Sequence, residues 1–252
     1  MTGHASFARY AYPPNELGYC GPTDPTVLLR ADRVDDVRAH AQAFDGAWPY
    51  LQAIATAGGA DPLDEDVVGA YWIGGGLLDR VDPGVLLHRL RTAFGGQATG
   101  LLADVAEPRG VLAHHSFHVC VVYPWVRFLD RDPVTPVRIM QNCRIRWGVV
   151  ESVTGEHAVI RSRPLVYADG VLALGAPAAD RVRWSRDGVA LSAVPRPGDT
   201  VTAHWDWVCG TLTAGECAAL TAATTATLDL VNSIRARISA ASSGSCRDPA
   251  AS

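Results

Sequence analysis

Three stretches of this chain carry side chains that could do chemistry. The segment HHSFHVC (114–120) crowds three imidazoles and a thiol together. On a helix His114 and His118 stand four apart on one face, with His115 three before His118. On a strand His114 and His118 share a side with Cys120. Imidazoles paired in this way bind a divalent ion such as zinc, nickel or iron, which makes His114 and His118 candidate ligands. The second stretch, PGDTVTAHWDWVC (197–209), reads as one strand. Val201, Ala203, Trp205, Trp207 and Cys209 then share one face, and Thr200, Thr202, His204 and Asp206 the other. A carboxylate beside an imidazole fixes its tautomer, so His204 is a candidate ligand and Asp206 its support. The third, YAYPPNELGYCGP (10–22), is too rich in Pro and Gly for a long helix. Cys20 lies there between Tyr19 and Gly21, where a nucleophilic thiol could draw on His114 or His118 as base. Each stretch also has a plainer reading: a helix start leading into an apolar core run, a surface histidine with an incidental acid nearby, and an ordered loop tied down by aromatic packing.

Bulk properties narrow the classes. The 252 residues carry a net charge of −4, and all 22 basic residues are arginines. A mildly acidic chain gives no reason to expect a nucleic-acid or anionic-membrane partner. No run is long and apolar enough for a signal peptide or a membrane span, so a cytoplasmic location is expected. In that compartment the six cysteines are expected as thiols, and none forms a CxxC pair. No GxGxxG follows a strand, a lysine-free chain has no phosphate-binding GxxxxGK[ST], and neither GxSxG nor HExxH occurs, which argues against a nucleotide cofactor and common hydrolase motifs.

The elements that must position these groups fall into two halves. Asp-Pro recurs at 24–25, 61–62 and 82–83 before amphipathic runs, and these pairs read as helix starts. VLAHHSFHVCVVYPWVRFL reads as a further helix or core segment interrupted at Pro124. RDPVTP (131–136) breaks the pattern. Beyond it the period changes to two: in CRIRWGVV, Cys143, Ile145, Trp147 and Val149 would line one face, with Arg144 and Arg146 on the other. By that alternation Cys143 lies on an apolar face, where a buried, inert thiol is the plainer reading. Asp169-Gly170 and SRDG signal hairpins. Several short strands in so short a span suggest a small barrel. A helix follows, with Thr213 and Glu216 in capping-box positions. The expected class is α+β: a helical domain over 1–136, a small antiparallel barrel plus C-terminal helix over 137–240, and a disordered tail over 241–252.

The order of motifs in the second half carries a resemblance. NCRIRWGVV (142–150), the Ala-Val-Ile strand (158–160) and the G-D-x-V-x-x-H strand of PGDTVTAHWDWVCGTLTAGEC (197–217) follow one another as in the HypC/HupF family of small [NiFe]-hydrogenase assembly chaperones. The resemblance covers roughly residues 140–222. It implies an OB-like barrel and a non-catalytic scaffold that carries an iron–cyanide–carbonyl unit and docks on the hydrogenase large-subunit precursor or another maturation protein. Cys143 matches the family cysteine and His204 the family histidine, so iron or another transition metal is the implied cofactor. Two features depart from the family: its cysteine sits beside the initiator methionine whereas Cys143 is internal, and the insertion between the hairpins is longer here. The whole chain is also similar to an actinobacterial family associated with hydrogenase gene neighbourhoods. The competing readings are a thiol- or metal-dependent enzyme built on Cys20 with His114 or His118, and a plain protein-binding module. The separation of Cys143 and His204 is the observation that discriminates among them.

Overall fold

A computed structural model describes residues 2–30 and 32–244. Among these the chain is α+β. The helical part contains α1 (Gly3–Glu16), α2 (Val34–Gln42), α3 (Trp48–Gly58), α4 (Glu65–Trp72), α5 (Pro83–Ala93), the single turn α6 (His115–Phe117) and α7 (Val134–Cys143). The strands follow as β1 (Arg146–Thr154), β2 (His157–Ser162), β3 (Leu165–Ala168), β4 (Val171–Leu174), β5 (Ala178–Arg183), β6 (Ser185–Arg186), β7 (Val189–Ala190), β8 (Thr200–His204) and β9 (Trp207–Thr211), and then α8 (Ala214–Gly244). Two Asp-Pro starts work as capping chemistry requires: the Asp82 side chain accepts from the Val85 amide at 2.8 Å, and Asp24 from the Thr26 amide at 3.0 Å. The capping box at α8 closes from both sides, Thr213 N–H donating to Glu216 Oε2 at 2.7 Å and Glu216 N–H to Thr213 Oγ1 at 3.2 Å.

The expectation that YAYPPNELGYCGP holds no long helix is corrected. Its first half is the end of α1, with Pro13 and Pro14 in the last turn. Proline there removes only the final helical hydrogen bonds, whose carbonyl acceptors are free to find other donors.

Five strands make one mostly antiparallel sheet. β1 pairs with β2 and β8, β2 with β5, and β8 with β9; a single parallel bridge, Arg183 to Trp207, links β5 to β9. The pairing order β1-β2-β5-β9-β8 therefore returns to β1. Val150, Ala158, Ile160, Val182, Val201, Ala203 and Val208 pack inside it. The β3–β4 and β6–β7 hairpins stand apart as two-stranded ribbons. Each is turned by an Asp-Gly pair at positive φ, as the sequence signals predict.

Two strand readings are corrected. Cys143 ends a helix rather than starting a strand, and from Arg146 onward the faces are reversed: Arg146, Gly148 and Val150 are buried while Val149 is exposed. Arg146 is buried because its guanidinium pairs with Asp180 at 2.8 Å. The 197–209 stretch is two strands, broken by a turn in which Trp205 adopts a φ of 51°. Thr202 and His204 face α1 rather than solvent, and Tyr10 Oη meets Thr202 Oγ1 at 2.9 Å.

A second, larger apolar cluster joins the halves, bringing Phe7, Tyr71 and Phe117 together with Leu172, Trp207 and Cys209. α7 crosses the 136/137 boundary. Residues 241–244, expected in a disordered tail, continue α8; the rest of that tail, with Cys246, lies outside the described residues. Among the described residues no helix is long and apolar enough to cross a membrane.

Candidate metal centre

The histidine-rich segment is not a uniform helix, and its irregularity decides which imidazoles converge. His114 is the N-cap of α6, with extended backbone; its Nδ1 accepts from the Ser116 amide at 3.1 Å and lies 2.7 Å from Ser116 Oγ. Its lone pair is thereby used, and Ser116 hands the contact on to Thr227 of α8 at 2.9 Å. The chain then widens into a π-helical turn, His118–Val122, closed by Tyr123 N–H donating to His118 O at 2.9 Å. Such turns gather at functional sites. The consequence is that His115 and His118, three apart, stack with ring centroids 6.4 Å apart, while His114 stays with its cap.

His115 meets two groups from distant elements. Among the described residues, one ligand atom each from His115, Cys143 and His204 lies within 4.8 Å of the others, all three residues being buried. Cys143 arrives at the end of α7 and His204 at the end of β8. The His204 ring is oriented by a defect in α1. Pro14 has no N–H to give the Tyr10 carbonyl four residues back, and that carbonyl instead accepts from His204 Nδ1–H at 2.6 Å. With the proton fixed on Nδ1, Nε2 carries the lone pair, and it has no hydrogen-bond partner. This is the disposition of a ligating histidine. His115 is held at both nitrogens, Nε2 at 2.8 Å from the Cys143 carbonyl and Nδ1 at 3.0 Å from Tyr71 Oη. The Tyr71 hydroxyl also reaches the Gly46 carbonyl at 2.9 Å. Two tautomers follow. With Tyr71 donating to Nδ1, Nε2 donates to Cys143 O. With Tyr71 donating to Gly46 O, Nδ1 could donate to Tyr71 Oη only if the ring turned Nε2, then carrying the lone pair, away from the Cys143 carbonyl, which can only accept.

These groups line a cavity of about 20 Å³ together with Cys20, His118, Phe44, Tyr71 and Trp72. That is room for a single water-sized occupant. Cys20 Sγ makes a short hydrogen bond to Tyr123 Oη, and the Tyr123 ring lies 4.8 Å from that of His118. His118 Nδ1 meets Tyr50 Oη at 3.3 Å, whereas its Nε2 has no partner. A buried polar atom left without a partner costs about 1–3 kcal/mol. The residues that line the cavity thus carry three such nitrogens, His118 Nε2, His204 Nε2 and the indole Nε1 of Trp72, and two thiols; of the three only the imidazole nitrogens can offer a lone pair.

Burial sets the protonation states. It lowers His118 to about 3, with neighbouring His115 adding to the effect, and His115 to about 4 against the pull of the Cys143 carbonyl. His204 lies well below its usual value, by burial first and by His115 second, with the Tyr10 carbonyl opposing. His114 falls to about 3 for the same leading reason. All are neutral near pH 7 and fit to donate lone pairs. The same burial raises Cys143 well above the usual thiol value and raises Cys20 as well. Neither thiol is an activated nucleophile as it stands, and a thiolate here needs a cation to stabilise it. Two imidazoles and a thiol suit a soft or borderline ion of the zinc, iron, cobalt or nickel kind.

Measured against the candidates, Cys143 and His204 converge, while Cys20 and His118 reach the same cavity. His114 does not, and Asp206 lies in the β8–β9 turn, where it pairs with Arg183 at 2.6 Å rather than with His204. The backbone of Tyr10 supplies the support that Asp206 was expected to give. Cys20 meets a tyrosine rather than a histidine base. The residue missed is His115. Its i, i+3 relation to His118 is visible in the sequence, but the choice of His114 with His118, which a helix and a strand both support, fails because the backbone changes from extended at His114 to helical at His115. Tyr71 and Pro14 carried no sequence signal for this role.

The family of unknown function DUF6390 matches residues 1–238. No curated protein and no solved structure matches the chain. The chain belongs to the DUF6390 family.

Proposed function

We propose that this DUF6390 protein is a metal-binding accessory protein of [NiFe]-hydrogenase assembly. In this reading it holds one transition-metal ion between Cys143 and His204 and docks on the large-subunit precursor or on another maturation protein. The observation that carries the metal reading is the convergence of the Cys143 thiol and the His204 imidazole, from the ends of α7 and β8, on one small cavity with His204 Nε2 left unpartnered. The assembly role rests on the HypC/HupF resemblance. The strand order supports the OB-like barrel that this resemblance implies: the first, second, third, fifth and fourth strands of the sheet follow in turn and return to the first, with the third and fifth parallel.

The cavity refines what is carried. A space of about 20 Å³ accepts a bare ion. It does not accept an iron centre with several diatomic ligands, each about as large as a water molecule, whose share of the liquid is about 30 Å³. In the closed form described here the cargo is therefore the ion alone. His115 would join as a third ligand only by turning Nε2 off the Cys143 carbonyl, and the Cys143 thiol loses its proton as the metal–sulfur bond forms. The thiol enzyme built on Cys20 is the weaker reading, because no histidine pairs with Cys20 and burial holds its proton on.

The test has two arms. Protein purified without oxygen should carry one metal ion per chain, and Cys143→Ala and His204→Ala should carry none. A host lacking this protein should lose hydrogenase maturation, and neither variant should restore it. Metal-free wild-type protein that takes up no iron, cobalt, nickel or zinc removes the site. Normal maturation with either variant removes the assembly role.

A further inference from the structure

The cavity has an inner end and a mouth, and donors stand at both. Of the residues lining it, only Cys20 and Gly46 are not buried. Cys20 is carried by the loop that follows α1. The buried Asn15 side chain clamps that loop by donating to the Cys20 carbonyl at 2.8 Å and the Pro22 carbonyl at 2.6 Å, while its Oδ1 accepts from His40 Nε2 at 3.0 Å. Tyr19 stacks on Trp205 with centroids 4.1 Å apart, and Gly21, at a φ of 86°, presses its Cα against the Phe44 ring, where a Cβ would lie 2.3 Å from Cζ. The sequence thus fixes the thiol at the opening. Behind it stands His118, buried and with Nε2 unpartnered. Gly46 keeps the space in front of that nitrogen free: a Cβ at 46 would lie 2.8 Å from His118 Nε2. Neither Cys20 nor His118 belongs to the inner set of mutually close donors.

We infer that Cys20 and His118 form a capture position for a divalent transition-metal ion at the mouth, from which the ion passes inward to Cys143 and His204. This rests on the metal reading of the inner site. The transfer is ligand exchange without change of oxidation state. The Cys20 thiol releases its proton to solvent as its sulfur–metal bond forms. The ion then moves to His204 Nε2 and Cys143 Sγ; the Cys143 thiol gives up its proton as that bond forms, and Cys20 recovers a proton as its own bond breaks. A soft ion suits both positions, because each offers one sulfur and at least one imidazole nitrogen.

Cobalt(II) mixed rapidly with metal-free full-length protein, without oxygen, tests this, since its thiolate charge-transfer and ligand-field bands report sulfur coordination as it forms. Cys20→Ser keeps a hydroxyl to meet Tyr123, and Gly46→Ala fills the space in front of His118 Nε2 without replacing any ligand. Both should slow uptake about tenfold, the low end of what removing a supporting group costs a metal site, and both should reach the wild-type final spectrum and stoichiometry. Cys143→Ala should show the early spectrum and stop there, with the ion held too weakly to survive desalting, so that the purified variant is metal-free. Wild-type uptake rates in Cys20→Ser and Gly46→Ala overturn the capture step while leaving the inner site intact. A Cys20→Ser end point with one thiolate fewer also overturns it, by placing Cys20 in the final ligand set. Wild-type protein that binds no cobalt overturns both readings together.

Discussion

The interior of the five-stranded sheet and the space beneath the N-terminal helices are both largely buried, yet they are furnished differently. The cluster inside the sheet is aliphatic: Val150, Ala158, Ile160, Val182, Val201, Ala203 and Val208 pack together, with the buried Arg146 on the same face of β1 neutralised by Asp180. Burial of apolar area accounts for it without residue. The other interior holds His115, His118, His204, Cys143 and Tyr71 among its apolar side chains, and the Nε2 atoms of His118 and His204 and the Nε1 of Trp72 have no partner. Selection for stability alone would favour leucines there, because an unpartnered buried nitrogen weakens the fold. The contrast separates an interior that packing explains from one that packing alone does not explain.

The contrast can be broken by mutation. The largest effect should come from the first interior. Ile160→Ala removes a fully buried side chain from the barrel and should lower the unfolding free energy by about 2–5 kcal/mol, measured in denaturant. The metal content of the folded fraction should stay unchanged. Loss of metal in step with stability would show that the two interiors are one cooperative site.

Acid should act on the other interior. The unfolded histidines titrate near 6.5, and folding depresses His115 to about 4, His114 and His118 to about 3, and His204 well below its ordinary value. Below pH 6.5 the unfolded chain therefore binds more protons than the folded one, so stability is full above that pH and declines as pH falls toward 4 and 3. Each histidine contributes a slope of up to about 1.4 kcal/mol per pH unit. Urea midpoints of metal-free protein at successively lower pH measure the sum, and His115→Gln should lower the slope by one histidine's share. A flat profile would mean that these rings are open to water.

The smallest effect sharpens the comparison most. Pro14→Ala gives α1 an amide that can bond the Tyr10 carbonyl and so competes with His204 Nδ1 for it. The helix should be no less stable, while metal affinity should fall about tenfold through loss of the oriented tautomer. Unchanged affinity in a competitive zinc titration would show that Tyr10 does not orient the ring.

The first interior and the elements around it were the more legible. Asp-Gly hairpins, the Asp24-Pro25 and Asp82-Pro83 helix starts and the Thr213–Glu216 box are local chemistry and stand where their residues predict; Asp61-Pro62 does not start a helix, because α4 begins three residues on at Glu65 with Asp64 as its N-cap. Cys143 and His204 were legible through residue type and motif order. His115 was not, because its approach depends on where α6 begins and on the π-helical turn after it, and backbone irregularity leaves no periodic trace. Arg144 and Arg146 stand opposite the predicted apolar face, yet both are buried. Their burial follows from partners far along the chain, Asp180 for Arg146 and the Arg163 carbonyl for Arg144. Trp205, a bulky residue at positive φ, split a strand that alternation had read as continuous.

The missing amide of Pro14 reaches further than the ring it steers. Because the Tyr10 carbonyl pins one hydrogen on the far side of His204, that imidazole has nothing to shed when a cation arrives, and His118, lowered to about 3, is equally bare. The acid liberated on loading would come from sulfur alone. Calorimetry in buffers of differing ionisation enthalpy would then count coordinated cysteines directly, without a spectrum.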